Sequence, residues 1–200
     1  MRMIAFEGLD ASGKETQVNL LQQKLSDLGL ITAVVSFPRY EAPIGELIKK
    51  GLKNDIVIDD MTLHMLLEAD RQAEQGDLEQ LSHLVDYIVL DRYTMSNTAY
   101  CKAKGIDIKW VENMQKYLKK PDLTFILDIP AEESFRRKHK LVGLSEMDKH
   151  ELDTSLLKKV RQAYIDLAED YNKRNERVVV IDATQSIEQI HREICKELGL

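Results

Sequence analysis

The 200-residue chain has little cysteine: Cys101 and Cys195 are its only two, far apart and in no metal-ligand spacing. That argues against a disulfide framework and fits reduced thiols in a reducing compartment. Positive charge is also short. Lys and Arg number 28 against 34 Asp and Glu, a net charge of -6, which argues against a sequence-independent grip on nucleic acid, since that needs a basic face. No uninterrupted apolar run reaches membrane length. The N-terminus lacks the basic, apolar and small-residue regions of a signal peptide. The expectation is a cytoplasmic chain with neither nucleic-acid nor membrane partners. No internal repeat, low-complexity tract or Pro/Ser-rich linker interrupts it, so residues 1–200 are expected to form one domain with a sizeable core.

What is present is an alternation of short apolar runs with helical patterns. MIAFEG (Met3 to Gly8), ITAVVSF (Ile31 to Phe37), DYIVLDR (Asp86 to Arg92), LTFILDI (Leu123 to Ile129) and VVVID (Val178 to Asp182) read as strands. Helices are expected between them: one carrying Val18, Leu21, Leu25 and Leu28 up to Gly29, others from about Ile44 and Asp60 with a break at Gly76, and more from Met95 and around Trp110. Pro130-Ala131-Glu132-Glu133 opens a further one, a long helix carries Leu157 to Tyr171, and a last one carries Ile187 to Leu198. Near-continuous apolar strands are expected to be buried on both faces, and with helices between them they predict a five-stranded parallel sheet in a three-layer α/β/α fold. Ligands then bind beyond the carboxyl ends of the strands.

The first such end reads GLDASGKET, Gly8 to Thr16. Gly8 and Gly13 let the backbone curl its N–H groups toward an anion, with Ala11 and Ser12 in the curl, and the following helix adds its dipole. Lys14 can reach the β and γ phosphates of a nucleotide. The alternative is a glycine-rich turn that happens to contain Lys. Glu15 stands where a Ser or Thr would hold magnesium, and Thr16 is displaced by about 100° around the helix. After the second strand, Phe37-Pro38-Arg39-Tyr40 offers a ring and a guanidinium, a phosphate grip or a solvated turn. After the third, Asp91-Arg92-Tyr93 is a functional acid and base or a plain ion pair.

Four segments in order resemble the thymidylate kinase family: FEGLDASGKETQ, FPRYEAPIG, LLEADR and LDRYTMSNTAY, over about Met3 to Tyr171. The resemblance implies phosphorylation of dTMP to dTDP with ATP and Mg²⁺, in dTTP synthesis, by a homodimer. It implies that Gly8 to Thr16 hold ATP and that Asp10 accepts from the sugar 3′-hydroxyl and touches the metal environment. Arg39 and Arg92 grip the acceptor phosphate, and Lys14 and Arg92 serve the transfer itself. Arg71 and Asn97 meet the thymine edge, and Tyr100 crowds the sugar C2′. Phe37, Tyr40, Leu67 and Ser96 lie with them at the acceptor, and Asp91 sits near magnesium.

Two departures stand out. Leu67 occupies the place of a base-stacking Phe, one helical turn before Arg71. Ala11 is not Arg, so a catalytic guanidinium is expected from a lid at about 138–151 and the basic run leading into it, with Arg137 and Lys149 as candidates. Leu67 motivates a first alternative, a kinase for dUMP or another deoxynucleoside monophosphate. Glu15 motivates a second, a nucleotide-binding module without catalysis.

Overall fold

The computed structural model describes residues 1–200. Five strands, β1 (Arg2–Glu7), β2 (Thr32–Ser36), β3 (Tyr87–Asp91), β4 (Leu123–Asp128) and β5 (Val178–Asp182), form one parallel sheet in the order β2-β3-β1-β4-β5. Ten helices connect and cover them: α1 (Lys14–Asp27), α2 (Pro43–Leu52), α3 (Asp60–Ala73), α4 (Gln75–Ser82), α5 (Thr94–Ala103), α6 (Ile108–Met114), α7 (Ala131–Val142), α8 (Lys149–Leu152), α9 (Thr154–Lys173) and α10 (Ile187–Leu198). The three-layer α/β fold is the expected one.

Successive side chains of a strand point to opposite faces, and β1 uses both. Ile4 and Phe6 join a large core with α1, α5, α9 and α10, while Met3 and Ala5 pack with Phe37, Leu78 and Tyr93. The edge strands differ from the expectation of full burial. β2 is half-buried from Thr32 to Val35 and exposed at Ser36, and Val180 of β5 is 42% exposed, because an edge strand has only one sheet neighbour. The break expected at Gly76 falls two residues earlier, at Glu74, and Gly76 lies inside α4.

At the centre of the sheet the chain leaves β1 and β3 in opposite directions, which opens a crevice between their carboxyl ends. Gly8 begins the loop there with φ +134°, and a Cβ on it would lie 2.5 Å from the Leu127 carbonyl oxygen of β4. Gly13 has φ +96° and open space around it. Gly8→Ala therefore meets both strain and a backbone clash, whereas Gly13→Ala meets strain alone. Chemical denaturation is expected to show a loss of about 1–3 kcal/mol for Gly13→Ala and a larger one for Gly8→Ala.

Candidate active site

The loop after β1 curls through Gly8, Ala11 (φ +54°) and Gly13 and runs into α1. No side chain caps the N-terminus of α1, so its first N–H groups are left to an anion. From α7, the Ser134 hydroxyl donates to the Asp10 carbonyl at 2.7 Å and pins the loop from above. Ser12 is buried in the curl, and Glu15 and Thr16 are exposed at its rim.

Lys14 is buried, and its Nζ donates to the carbonyls of Leu9 (2.8 Å) and Gly8 (3.3 Å). Burial, then the positive charge of Arg92, pushes its pKa down to about 8. Arg92 shares the same carbonyl. Its backbone has φ +63°, and its Nη1 donates to Gly8 O (3.0 Å) and Ser96 Oγ (3.2 Å), while Nη2 donates to Asp10 Oδ1 (2.5 Å). Burial alone would raise the Asp10 carboxyl, but Arg92, Lys14 and Lys138 outweigh it and hold the pKa at about 2. Asp91 ends β3 half-buried on the cavity wall.

These groups line one cavity of about 1020 Å³, at the top of the range for small-molecule sites. Its far end is built by α3 and α5. Arg71 is buried, with its guanidinium 5.9 Å over the Phe37 ring and Nη1 donating to the Leu67 carbonyl at 2.7 Å. Phe37 is buried against Tyr93, while Leu67 and Tyr40 reach the cavity wall. Asn97 spends its amide hydrogens inside the protein, on the His64 carbonyl (3.1 Å) and Glu68 Oε1 (2.7 Å). The Ser96 hydroxyl is shared among Arg92, Glu7 and Tyr164. Tyr100 stacks on His150 with centroids 5.2 Å apart.

The segment 138–151 closes the third side. Lys138 pairs with Glu151 at 2.7 Å, and Asp148 caps α8 with Glu151 as its reciprocal partner. Burial, and then the negative Glu151 beside it, pushes the Asp148 carboxyl up to about 6. His150 accepts from Lys104 Nζ (2.9 Å), and burial holds its pKa down at about 3. Arg136 and Arg137 reach the cavity wall, although both are tied to Glu133.

Most of the residues proposed from sequence therefore meet around one cavity: Asp10 to Thr16, Phe37, Tyr40, Leu67, Arg71, Asp91, Arg92, Ser96, Asn97, Tyr100 and Arg137 all line it, and Gly8 forms the base of the loop. Arg39 does not line it. Its guanidinium turns back onto Asp70 and Glu74, and its backbone N–H donates to Asp70 at 3.0 Å. Lys149 also lies off the wall. Sequence reasoning gave no role to Glu7, His64, Glu68 or Ser134. A buried-strand Glu immediately before the loop glycine was a readable signal for the first; the others had none.

A parallel sheet with a phosphate loop at its switch point, beside a second set of cations and a nucleoside-sized recess, defines a phosphotransferase of the nucleotide kinase class. The thymidylate kinase family model matches residues 6–194. A thymidylate kinase of Dictyostelium discoideum is 36% identical over 96% of this chain and 82% of its own length, and a probable thymidylate kinase of Saccharolobus solfataricus is 32% identical over 98% and 95%. The solved thymidylate kinase of Candida albicans superposes with a TM-score of 0.79 at 30% identity, covering 99% of this chain and 91% of that one. The chain belongs to the thymidylate kinase family, and it is an enzyme that phosphorylates thymidylate.

The depressed Lys14 yields a prediction on pH. Below about pH 8 the free enzyme carries the Lys14 charge that attracts phosphate, and above it that charge is lost. kcat/KM for ATP is expected to fall tenfold per pH unit above about 8, because it reports the free enzyme. kcat should hold to higher pH, since bound phosphates favour the protonated amine. A kcat/KM flat to pH 9.5 would show that the Lys14 charge is not needed.

Proposed function

We propose that the reaction is ATP + dTMP → ADP + dTDP, by direct in-line transfer with the residues above in the following roles. An oxygen of the dTMP phosphate attacks the γ-phosphorus of ATP, and the bond to the β,γ-bridging oxygen breaks. The loop N–H groups and Lys14 hold the donor phosphates and offset the charge that shifts toward ADP. Arg92 grips the acceptor phosphate. The observation that carries this reading is that Lys14 and Arg92 both donate to the Gly8 carbonyl, so the donor and acceptor cations converge on a single atom. Positioning plus neutralisation is most of what this chemistry requires.

Asp10, held ionised, accepts from the sugar 3′-hydroxyl; Tyr100 crowds C2′; Arg71 donates to the base. Arg137, on the wall beside the loop, supplies charge on the donor side. The segment 138–151 acts as the lid that keeps water from the γ-phosphate.

The residues fit a magnesium ion of the kind nucleotide kinases use. No group of three or more potential metal ligands forms a cage, which suits an ion bound through one or two carboxylates, waters and substrate phosphates. Asp91 would hold it, with Asp10 nearby, and it would neutralise the phosphate oxygens. Glu15, exposed at the rim, is free to turn away from them.

A homodimer is part of the same reading. Leu47, Met61 and Met65 stand 40%, 42% and 46% exposed on α2 and α3, and a partner subunit would cover them. A monomer mass by light scattering would exclude it. A cytoplasmic setting suits the two cysteines, which are free thiols on different helices.

The substrate assignment is tested by steady-state rates for a panel of monophosphates with ATP and Mg²⁺. dTMP is expected to be the best acceptor, and a clear preference for dUMP would establish the reading that Leu67, an aliphatic wall in place of a ring, favours. Arg92→Ala is expected to lower kcat by about 10²–10³ while ATP affinity changes little. An unaltered kcat would reduce the Asp10–Arg92 contact to a structural ion pair.

A further inference from the structure

A second cavity, of about 470 Å³, shares no lining residue with the first. It lies between α6 with the segment after it, the end of α9, and the starts of β4 and β5. Its volume falls in the range of small-molecule sites. Six cations line it, Lys109, Lys116, Lys119, Lys120, Arg174 and Arg177, against three carboxylates, Glu7, Glu112 and Glu176. Glu7 already spends its charge on the start of α5 and on Tyr164. In a chain with a net charge of -6 this local excess of positive charge departs from the background, and a concave surface of one sign concentrates ions of the other.

The cations are within reach of solvent, and all but Lys119 are exposed. Lys120 pairs with Glu176 at 2.8 Å, Arg174 with Glu112 at 2.5 Å, Arg177 with Glu197 at 2.8 Å and Lys119 with Glu79, while Lys109 and Lys116 pair with no carboxylate. Pairs this exposed are weak, so a multiply charged anion can displace them. Beneath the rim, Met95, Leu118 and Tyr171 are buried and supply an apolar floor. A polyphosphate on an apolar body meets both surfaces, its oxygens at the rim and its body on the floor.

Two connections run from here to the catalytic cavity. Tyr93, Thr94 and Met95 line the second cavity, and Arg92 and Ser96, on either side of them in the chain, line the first. Gln115 also lines the second cavity, and its Nε2 donates to the Thr94 carbonyl (3.0 Å) and to Glu68 Oε1 (2.6 Å). The same Glu68 oxygen accepts from Asn97 Nδ2 at 2.7 Å, and Asn97 lines the catalytic cavity. A molecule seated against Thr94 and Gln115 therefore touches the turn that carries Arg92 and the hydrogen bonds that hold Asn97.

We propose that this cavity is a second, regulatory site for a small polyphosphate, held by the cationic rim with Lys109 and Lys116 as its unpaired members, and that its occupancy changes the affinity for the acceptor. Nucleoside triphosphates and inorganic triphosphate share the chemistry that the rim recognises, and the apolar floor gives the nucleoside form a further contact. The binding stands apart from the choice of acceptor; the coupling rests on dTMP as acceptor.

The test is equilibrium dialysis of labelled dCTP and, separately, of inorganic triphosphate, against enzyme kept saturated with ADP, Mg²⁺ and dTMP so that the catalytic cavity is filled. Each wild-type chain is expected to take up one further molecule. The double variant Lys109→Glu, Lys116→Glu is expected to weaken that uptake by about tenfold or more, and Lys159→Glu, Lys196→Glu, the same change of charge at exposed positions of α9 and α10, by less than about threefold. None of these lysines belongs to the catalytic machinery, so an unchanged kcat without probe shows that both variants fold. Tighter uptake of dCTP makes a nucleotide the occupant, and tighter uptake of inorganic triphosphate a free polyphosphate. No uptake of either compound overturns the site, as does uptake that survives Lys109→Glu, Lys116→Glu. An equal loss in both double variants overturns it too, by reducing the attraction to net charge. Dialysis of inorganic triphosphate with ADP and Mg²⁺ but no dTMP reads the coupling, because linkage is reciprocal. The affinity lost in Lys109→Glu, Lys116→Glu is expected to differ by about fivefold or more between the two conditions, and equal affinities overturn the coupling. Uptake at the second site by an enzyme that ignores dTMP and uses another monophosphate would remove the acceptor assignment and leave the site standing.

Discussion

The site depends on a carboxylate that never meets water. Glu7, the last residue of β1, is wholly buried and accepts from the backbone N–H groups of Tyr93 (2.8 Å) and Ser96 (3.2 Å), from the Ser96 hydroxyl and from Tyr164 (3.3 Å). Two of those donors belong to the start of α5, where a helix would otherwise expose unsatisfied N–H groups and where negative charge is favoured. Glu7 therefore fastens the end of β1 to the start of α5 and, through Tyr164, to α9. A buried charge survives only with such full hydrogen bonding. Between the two fastened ends lies Arg92, whose left-handed backbone turns its side chain back across the crevice onto Gly8 and Asp10. The loop after β1 and the Arg92 guanidinium are held in register because one carboxylate ties down the chain on either side.

Within that frame the charges are arranged to be exchanged. Lys14 and Arg92 rest on backbone carbonyls and on Asp10, partners that satisfy them without neutralising them fully. Two cations near one carbonyl repel, which is part of what depresses Lys14. Phosphates entering the loop relieve that repulsion, so the site favours anions beyond what the helix dipole supplies. Asp10 keeps the arrangement from being purely cationic and stays ionised because Arg92, Lys14 and Lys138 surround it.

Much of this was legible in the sequence. The strands were apolar runs, the loop carried its glycines and lysine at fixed spacing, and strand-end position picked out Asp91 and Arg92 before any contact was known. What was hidden depends on three-dimensional partnership. Ser134 lies 124 positions from the Asp10 carbonyl it pins, and nothing around it marks that role. Glu68 and His64 look like ordinary helix residues until Asn97 is brought against them from α5. The edge strands were over-read as buried because apolar composition alone does not reveal which strand lacks a neighbour.

Arg39 shows most clearly where residue type and residue state part company. Its guanidinium suits a phosphate, yet it rests on Asp70 and Glu74, both on or next to α3. Asp70 adjoins Arg71, so the acids that hold Arg39 sit on or just after the helix that brings Leu67 and Arg71 to the cavity wall. The pairing is largely withdrawn from solvent, where a guanidinium needs a full set of acceptors. Any approach of Arg39 to the acceptor phosphate must exchange these carboxylates for phosphate oxygens, one anionic partner for another of similar strength. Such an exchange adds little net attraction. Its effect is on position, because the side chain can leave Asp70 and Glu74 only when another anion is already in place. Arg92 thus stands on the cavity wall beside the loop, while Arg39 is held off that wall by acids on and next to α3.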